Sequence, residues 1–174
     1  MILPMEGDAA RGWTPGKPTV FLGTPANERA PMFSSDGRWV AYGSDEAGGV
    51  VDDVYVRPFP GPGGKWRIST AGGRFPRWSA ITHELLFRLP AGQGRIMAAP
   101  YAVIGDSFRP DTPQVWSPTS IFGFATTNTG YDLHPDGKRV AAYAPPERAS
   151  GVDDKVVFVF NFADYLRQIT PGTK

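Results

Sequence analysis

Arg29 and Arg74 stand 45 residues apart (74 − 29 = 45), and each precedes a proline, Pro31 or Pro76, by two positions. Guanidinium suits carboxylate or phosphate best, because its planar fork of N–H donors stays charged at any physiological pH. At the corresponding places further along the chain stand Thr129 and Tyr131, while Met32, Arg77 and Asp132 occupy the next position, on the opposite parity. Arg29, Arg74, Arg77 and Tyr131 are therefore the candidate ligand-binding residues, for an anion or the acidic end of a peptide. A competing reading pairs these arginines with Glu28 or with carboxylates on neighbouring strands.

Other chemistry is thinly represented. A nucleophilic triad needs Ser or Cys, His and a carboxylate to converge, but the chain has only His83 and His134, no cysteine and no Gly-x-Ser-x-Gly elbow. No catalytic residue is assigned, and the protein is read as non-enzymatic. Asp45, Glu46, Asp52 and Asp53 crowd one loop, and Asp153 and Asp154 another. Oxygen-rich loops can take Ca²⁺, but this spacing matches no calcium loop, so solvated acidic turns are expected, with no metal and no cofactor.

The bulk composition narrows the class further. The 174 residues carry a formal charge of +1, whereas nucleic acid or an anionic membrane calls for a concentrated basic surface. Neither partner is expected. No apolar run approaches the roughly 20 residues of a membrane span, and the first residues lack the basic and apolar regions of a signal peptide. A cytoplasmic location is the expectation for the chain as written. Without cysteine there is no disulfide framework. The 21 glycines and 18 prolines are spread between apolar runs, which suggests many turns joining short strands.

The elements that position the arginines repeat. "PMFSSDGRWVAY" (31–42) and "PRWSAITHELLF" (76–87) align at one offset, Pro on Pro, Phe33 on Trp78, Ser34 on Ser79, Val40 on Leu85 and Tyr42 on Phe87. Strands are expected over 30–34, 39–44, 53–59 and 65–70, with Asp36-Gly37 supplying the positive φ of a tight hairpin. A second set falls over 75–79, 84–89, 95–101 and 113–117, with Ile81-Thr82 in a turn of another type. A third begins at "TGYDLHPDGKRVAAY", where Asp136-Gly137 repeats Asp36-Gly37, and continues with a strand over 155–161. Four antiparallel strands per unit make a propeller blade. The chain thus reads as one partial all-β propeller domain over 1–174, with repeats near 30–70, 75–117 and 128–161. Phe33, Trp78, Tyr42, Phe87 and Trp66 recur in phase and are expected to pack between blades. A short helix over 161–168 closes the chain.

The third unit lacks a fourth strand, and "KPTVFLG" (17–23) supplies one ahead of the first. Three blades are too few for a closed ring, and an open arc leaves apolar faces and strand edges in water. Two chains closing head to tail would make a six-bladed homodimer, with 17–23 of each completing the blade that holds 155–161 of the other. Arg29 and Arg74, duplicated, would then place four guanidinium groups around one mouth of the channel.

"PMFSSDGRWVAYGSDEAG" resembles the TolB-type (WD40-like) propeller repeat. "VYVRPFPGPGGKWRISTAGGRFPRWS", "YDLHPDGKRVAAY" and "VVFVFNFADYLRQI" are similar to the C-terminal propeller region of bacterial serine/threonine protein kinases and related sensors. The resemblance runs from about Trp13 to Ile169, covers about half a propeller and includes no kinase motif. It implies a non-catalytic sensing module that binds a protein, a peptide or a small ligand. The alternatives are a propeller-type hydrolase or lyase, and a structural scaffold or gene fragment without its effector domain.

Overall fold

The computed structural model describes residues 1–90, 94–118 and 131–142. The chain divides into two units, Met1–Ala144 and Pro145–Lys174, of which the second lies outside the described residues. The strand expected over 155–161 and the helix over 161–168 lie outside the described residues. Among those residues every regular element is a β-strand.

A short exposed hairpin comes first, β1 (Met5–Asp8) with β2 (Gly12–Pro15). Then β3 (Glu28–Phe33), β4 (Trp39–Ser44), β5 (Asp53–Pro58) and β6 (Trp66–Arg67) form an antiparallel sheet in chain order. The second sheet contains β7 (Arg74–Ser79), β8 (Glu84–Arg88), β9 (Ile96–Ile104), β10 (Ser107–Pro110) and β11 (Gln114–Ser117). Its first three strands follow in order. The start of β9 pairs with β11, and the end of β9 with β10. β9 runs on past its pairing with β8 into an added hairpin with β10. A third hairpin, β12 (Tyr131–Leu133) with β13 (Val140–Ala142), repeats the opening of the other two.

Register is the firmest feature of the repeat. Met32 faces Ala41, Arg77 faces Leu86 and Asp132 faces Ala141. Ser34 fixes the first turn by donating its N–H to the Trp39 carbonyl and accepting the Trp39 N–H on its hydroxyl. Gly37 takes φ 69° there, a value that suits a residue without Cβ. The second hairpin has no glycine. The left-handed residue moves on to His83, at φ 51°, and the Ser79 hydroxyl accepts the Thr82 N–H instead.

Both first strands also carry a bulge at the same place. Two residues of β3 lie between the pairs Arg29–Gly43 and Met32–Ala41, against one on β4, and β7 does the same between Arg74–Arg88 and Arg77–Leu86. Ala30 and Phe75 sit in these bulges with φ of 51° and 57°. The extra residue reverses the pleat. It puts Arg74 on the same face of the sheet as Arg77, and Arg29 on the face of Met32.

The sheets stack face to face. Ala41, Val54 and Val56 of the first meet Leu85, Phe87 and Ala99 of the second in one core, together with Trp39, Ile68 and Phe108. Leu86, Ile96 and Ala98, on the other side of the second sheet, pack with Phe75 and Tyr131. Gly73 lets the sheets approach, since a Cβ there would lie 2.6 Å from the Phe87 ring and 3.0 Å from Val54. Of the aromatic residues expected between sheets, Phe87 is buried in the first core and Trp66 and Trp78 pack against it, whereas Tyr42 is buried on the opposite face, stacked on Tyr55 of its own sheet at 5.9 Å. Phe33 is an exception, half-exposed and edge-on to Phe59 at 4.9 Å.

Two expectations are corrected. Lys17–Gly23 forms no strand; Thr19 exchanges both backbone hydrogen bonds with Ile2 of its own chain, at 2.8 and 2.9 Å, in an isolated bridge. Pro18 removes a donor from the segment, and Phe21 rests against Phe59, 5.7 Å between ring centres. The strand expected over 65–70 is reduced to Trp66–Arg67, because the Ser69 hydroxyl accepts the Val54 N–H where a ladder carbonyl would otherwise serve.

Truncating Phe87 to alanine should cost about 3–5 kcal/mol. As the ring belongs to a core shared by both sheets, urea unfolding should show one transition by tryptophan fluorescence and circular dichroism alike. Two separated transitions would mean that the sheets fold independently.

Candidate functional site

The bulges bring Arg29 and Arg74 to a single carboxylate. Asp52, 4% exposed, receives Arg29 Nη1 on Oδ1 at 2.9 Å and faces Arg74 Nε from Oδ2 at 3.0 Å. It lies in the turn entering β5, and its own carbonyl accepts the Gly73 N–H from the strand-to-strand connection into β7. One acidic residue of the first sheet therefore ties down the second. A cleft of about 10 Å³, room for one water, opens between Arg29, Ala30, Gly43, Asp52, Arg74 and Phe75. Glu28, the other partner considered for these arginines, instead accepts the Thr24 hydroxyl.

Arg77 and Tyr131 form a different arrangement. Tyr131 is buried and donates its hydroxyl to the Phe75 carbonyl at 2.9 Å. Arg77, its side chain 11% exposed, lies 5.7 Å over the Tyr131 ring and reaches Asp132 at 3.2 Å. These contacts clamp β12 to β7, and Trp78 Nε1 donates to the Met32 carbonyl at 3.0 Å to join β7 to β3. The first strands of the three hairpins are thus linked side by side. Arg77 and Tyr131 hold that row together, Arg77 Nη1 also donating to the Pro76 carbonyl at 2.9 Å. Burial pushes the Tyr131 phenol well above its ordinary range.

Arg88 is the residue that sequence reasoning missed. It faces Arg74 across the β7–β8 ladder, is 7% exposed and lies 5.0 Å over the Phe75 ring. Nε and Nη1 are both buried with no hydrogen-bond partner, and among the described residues no carboxylate pairs with it. Burial, and then the charge of Arg74, push its pKa down. The signal was present in the repeat, at the position of Gly43.

Beside the arginine cup runs an apolar groove of about 330 Å³, walled by Ile2, Phe21, Arg29, Met32, Val40 and Tyr42 among others. Val40 and Tyr42 are on the face of the first sheet turned away from the second, so the N-terminal segment partly covers a flank that would otherwise lie open. Burial, and then Glu46, raise the Tyr42 phenol to about 12.

The remaining candidates have local partners. Asp45 accepts the Asn27 backbone and side-chain N–H groups, Glu46 pairs with Lys65, and Asp53 takes Ser69 and Arg67. Among the described residues no group of three ligating side chains could hold a metal ion. His83 packs edge-on to Tyr101 at 5.9 Å. His134 Nδ1 accepts the Asp136 backbone N–H within its turn, and the Lys138 N–H, with the Arg139 guanidinium beside it, holds the Asp136 carboxyl down at about 2.

Replacing Asp52 with asparagine should cost about 2–4 kcal/mol, since two partly buried guanidinium groups lose their charge partner. Asp106→Asn, which removes the fully exposed partner of Arg38, should cost far less, because solvent screens that pair. Equal costs in urea melts would show that the cup is an ordinary surface pair. The raised Tyr42 phenol contributes stability that is complete below the unfolded-state value of about 10. This is lost as pH climbs toward 12, because the unfolded chain then ionises and the folded one does not. Tyr42→Phe should flatten that alkaline fall in the urea midpoint; an unchanged slope would contradict the assignment. No family model matches the chain, and no curated protein matches it.

Proposed function

We propose that the chain is an arc of TolB-like propeller blades that acts by binding, without catalysis. Three hairpins of one register, stacked sheets and a row of linked first strands all support blades. The ligand is a protein, peptide or small molecule that carries an anionic group. The carrying observation is the double placement of Arg29. It pairs with Asp52, yet its side chain remains 46% exposed, and it also forms a wall of the apolar groove. An anionic end would reach Arg29 and Arg74, where two cations share one carboxylate, while an apolar body lies against Ile2, Phe21 and Met32. Arg77 and Tyr131 act as the scaffold of this site.

A second reading is carried by the same flank. In a six-bladed ring of two chains, a blade of the partner would pack on Val40 and Tyr42, and Lys17–Gly23 would leave Ile2 for the partner's sheet. Light scattering separates the two. A mass of twice 18.9 kDa supports the homodimer, and a single-chain mass removes it.

Isothermal calorimetry with a short peptide of two apolar residues and a C-terminal glutamate tests the binding reading. The wild type should bind saturably, and more weakly as salt screens the exposed charges. Arg29→Gln combined with Arg74→Gln should weaken binding at least about tenfold, the equivalent of about 1.4 kcal/mol. Unchanged affinity in the double variant would remove the arginine cup from the function.

A further inference from the structure

Two charged neighbours on β3 reach the apolar groove from opposite sides of the strand. Glu28 is paired with Ser44 and Arg29 with Gly43, in consecutive regular steps of the ladder. Their side chains therefore leave the sheet on opposite faces. Both nevertheless wall the same groove of about 330 Å³, and β3 is the edge strand of its sheet. The groove thus wraps that edge and meets a carboxylate on one side and a guanidinium on the other. The two do not pair with each other: Arg29 goes to Asp52, and Glu28 to the Thr24 hydroxyl.

Each group has capacity to spare. Arg29 spends Nη1 on Asp52, while Nε and Nη2, which share the other edge of the guanidinium, have no partner among the described residues. That edge is a pair of parallel N–H donors, the arrangement that grips both oxygens of one carboxylate, and the side chain is 46% exposed. Glu28 accepts the Thr24 hydroxyl on Oε1. Its Oε2 is unused, and among the described residues no cation pairs with it. The turn that presents Glu28 is held in place, because Thr24 also accepts the Ala26 N–H and Asp45 takes both the backbone and the side-chain N–H of Asn27. The other walls are apolar, with Ile2, Phe21 and Leu22 from the N-terminal segment and Phe33 and Val40 from the sheet.

Resting on the binding reading above, we propose that the ligand is a free dipeptide of two apolar residues, its carboxylate on Arg29 and its ammonium on Glu28. The opposite charges of the wall call for a ligand that carries both. Their placement on opposite faces of one strand sets the separation. In a single amino acid the charged ends are about 2.5 Å apart, too close to serve both sides of β3. Two residues in extended form span about 7 Å. The groove lies within the size range of small-molecule sites, about 300–1,000 Å³, and its walls receive the two side chains. Blocking the amine changes the balance, because an acetylated ligand takes water from Glu28 and gives it no donor in return. Glu28 thereby makes the site specific for a free amino end, which the arginine alone cannot do.

The test is calorimetry of the whole chain with leucyl-leucine, N-acetyl-leucyl-leucine and free leucine. Leucyl-leucine should bind saturably, and the acetylated form and free leucine should each bind at least about tenfold more weakly. Glu28→Gln should weaken leucyl-leucine by a similar factor and leave the acetylated form unchanged. Equal affinity of the wild type for the free and acetylated dipeptides overturns the role of Glu28 and leaves the anion reading standing, since both compounds offer a carboxylate to Arg29. That comparison needs no variant, so it holds even where Glu28→Gln fails to fold. Free leucine binding as tightly as the dipeptide overturns the two-residue span. A wild type that takes the glutamate-ended peptide and neither dipeptide also overturns the proposal. A wild type that binds none of them overturns the anion reading together with it.

Discussion

One carboxylate holds two sheets in fixed relation and sets the charge of the region around it. Asp52 is nearly inaccessible, takes a guanidinium from each of two first strands and lends its carbonyl to the Gly73 N–H on the path between the sheets. The apolar core supplies most of the free energy, but apolar contact is non-directional. Asp52 adds direction, because a buried carboxylate must have its cations in place. Once it is committed to Arg29 and Arg74, Arg88 is left as a cation without a partner, and Arg29 keeps part of its fork in solvent.

The bulges explain how this constellation arises from a repeat. A strand alternates faces at every residue, so Arg29 and Met32 would ordinarily point to opposite sides, as would Arg74 and Arg77. The extra residue at Ala30 and at Phe75 brings them to the same side. A left-handed φ at a residue with a Cβ costs about 1–2 kcal/mol. Phe75 has compensation on both sides: its ring is buried beneath Arg88, and its carbonyl accepts the Tyr131 hydroxyl.

Much of the fold could be read from the residues. Apolar phase fixed the pairing of Phe33 with Val40 and of Trp78 with Leu85, because a slip by one residue would turn an entire strand inside out. The loss of Asp-Gly from the second turn was harmless for the same reason: His83 takes up the left-handed conformation where the strands demand it. The arginines were legible as an anion-binding type, but their counterion was not, since Asp52 stood out only as one of four acids in a loop. Arg88 was hidden by its neighbours. In "ELLFRL" it reads as the polar end of a strand, and only the ladder pairing puts it opposite Arg74. The segment over 17–23 was misread because its apolar residues have the right composition for a strand. Ile2 and Phe59 compete for it, and Pro18 interrupts its donors.

The most direct measurement of the central claim is a double-mutant cycle between Asp52→Asn and Arg74→Gln, read as urea stability. If Asp52 joins the sheets through Arg74, the two changes should be non-additive, with a coupling of at least about 1 kcal/mol. Additivity within about 0.3 kcal/mol would mean that the carboxylate and this arginine do not depend on each other, and the shared-charge account would be wrong.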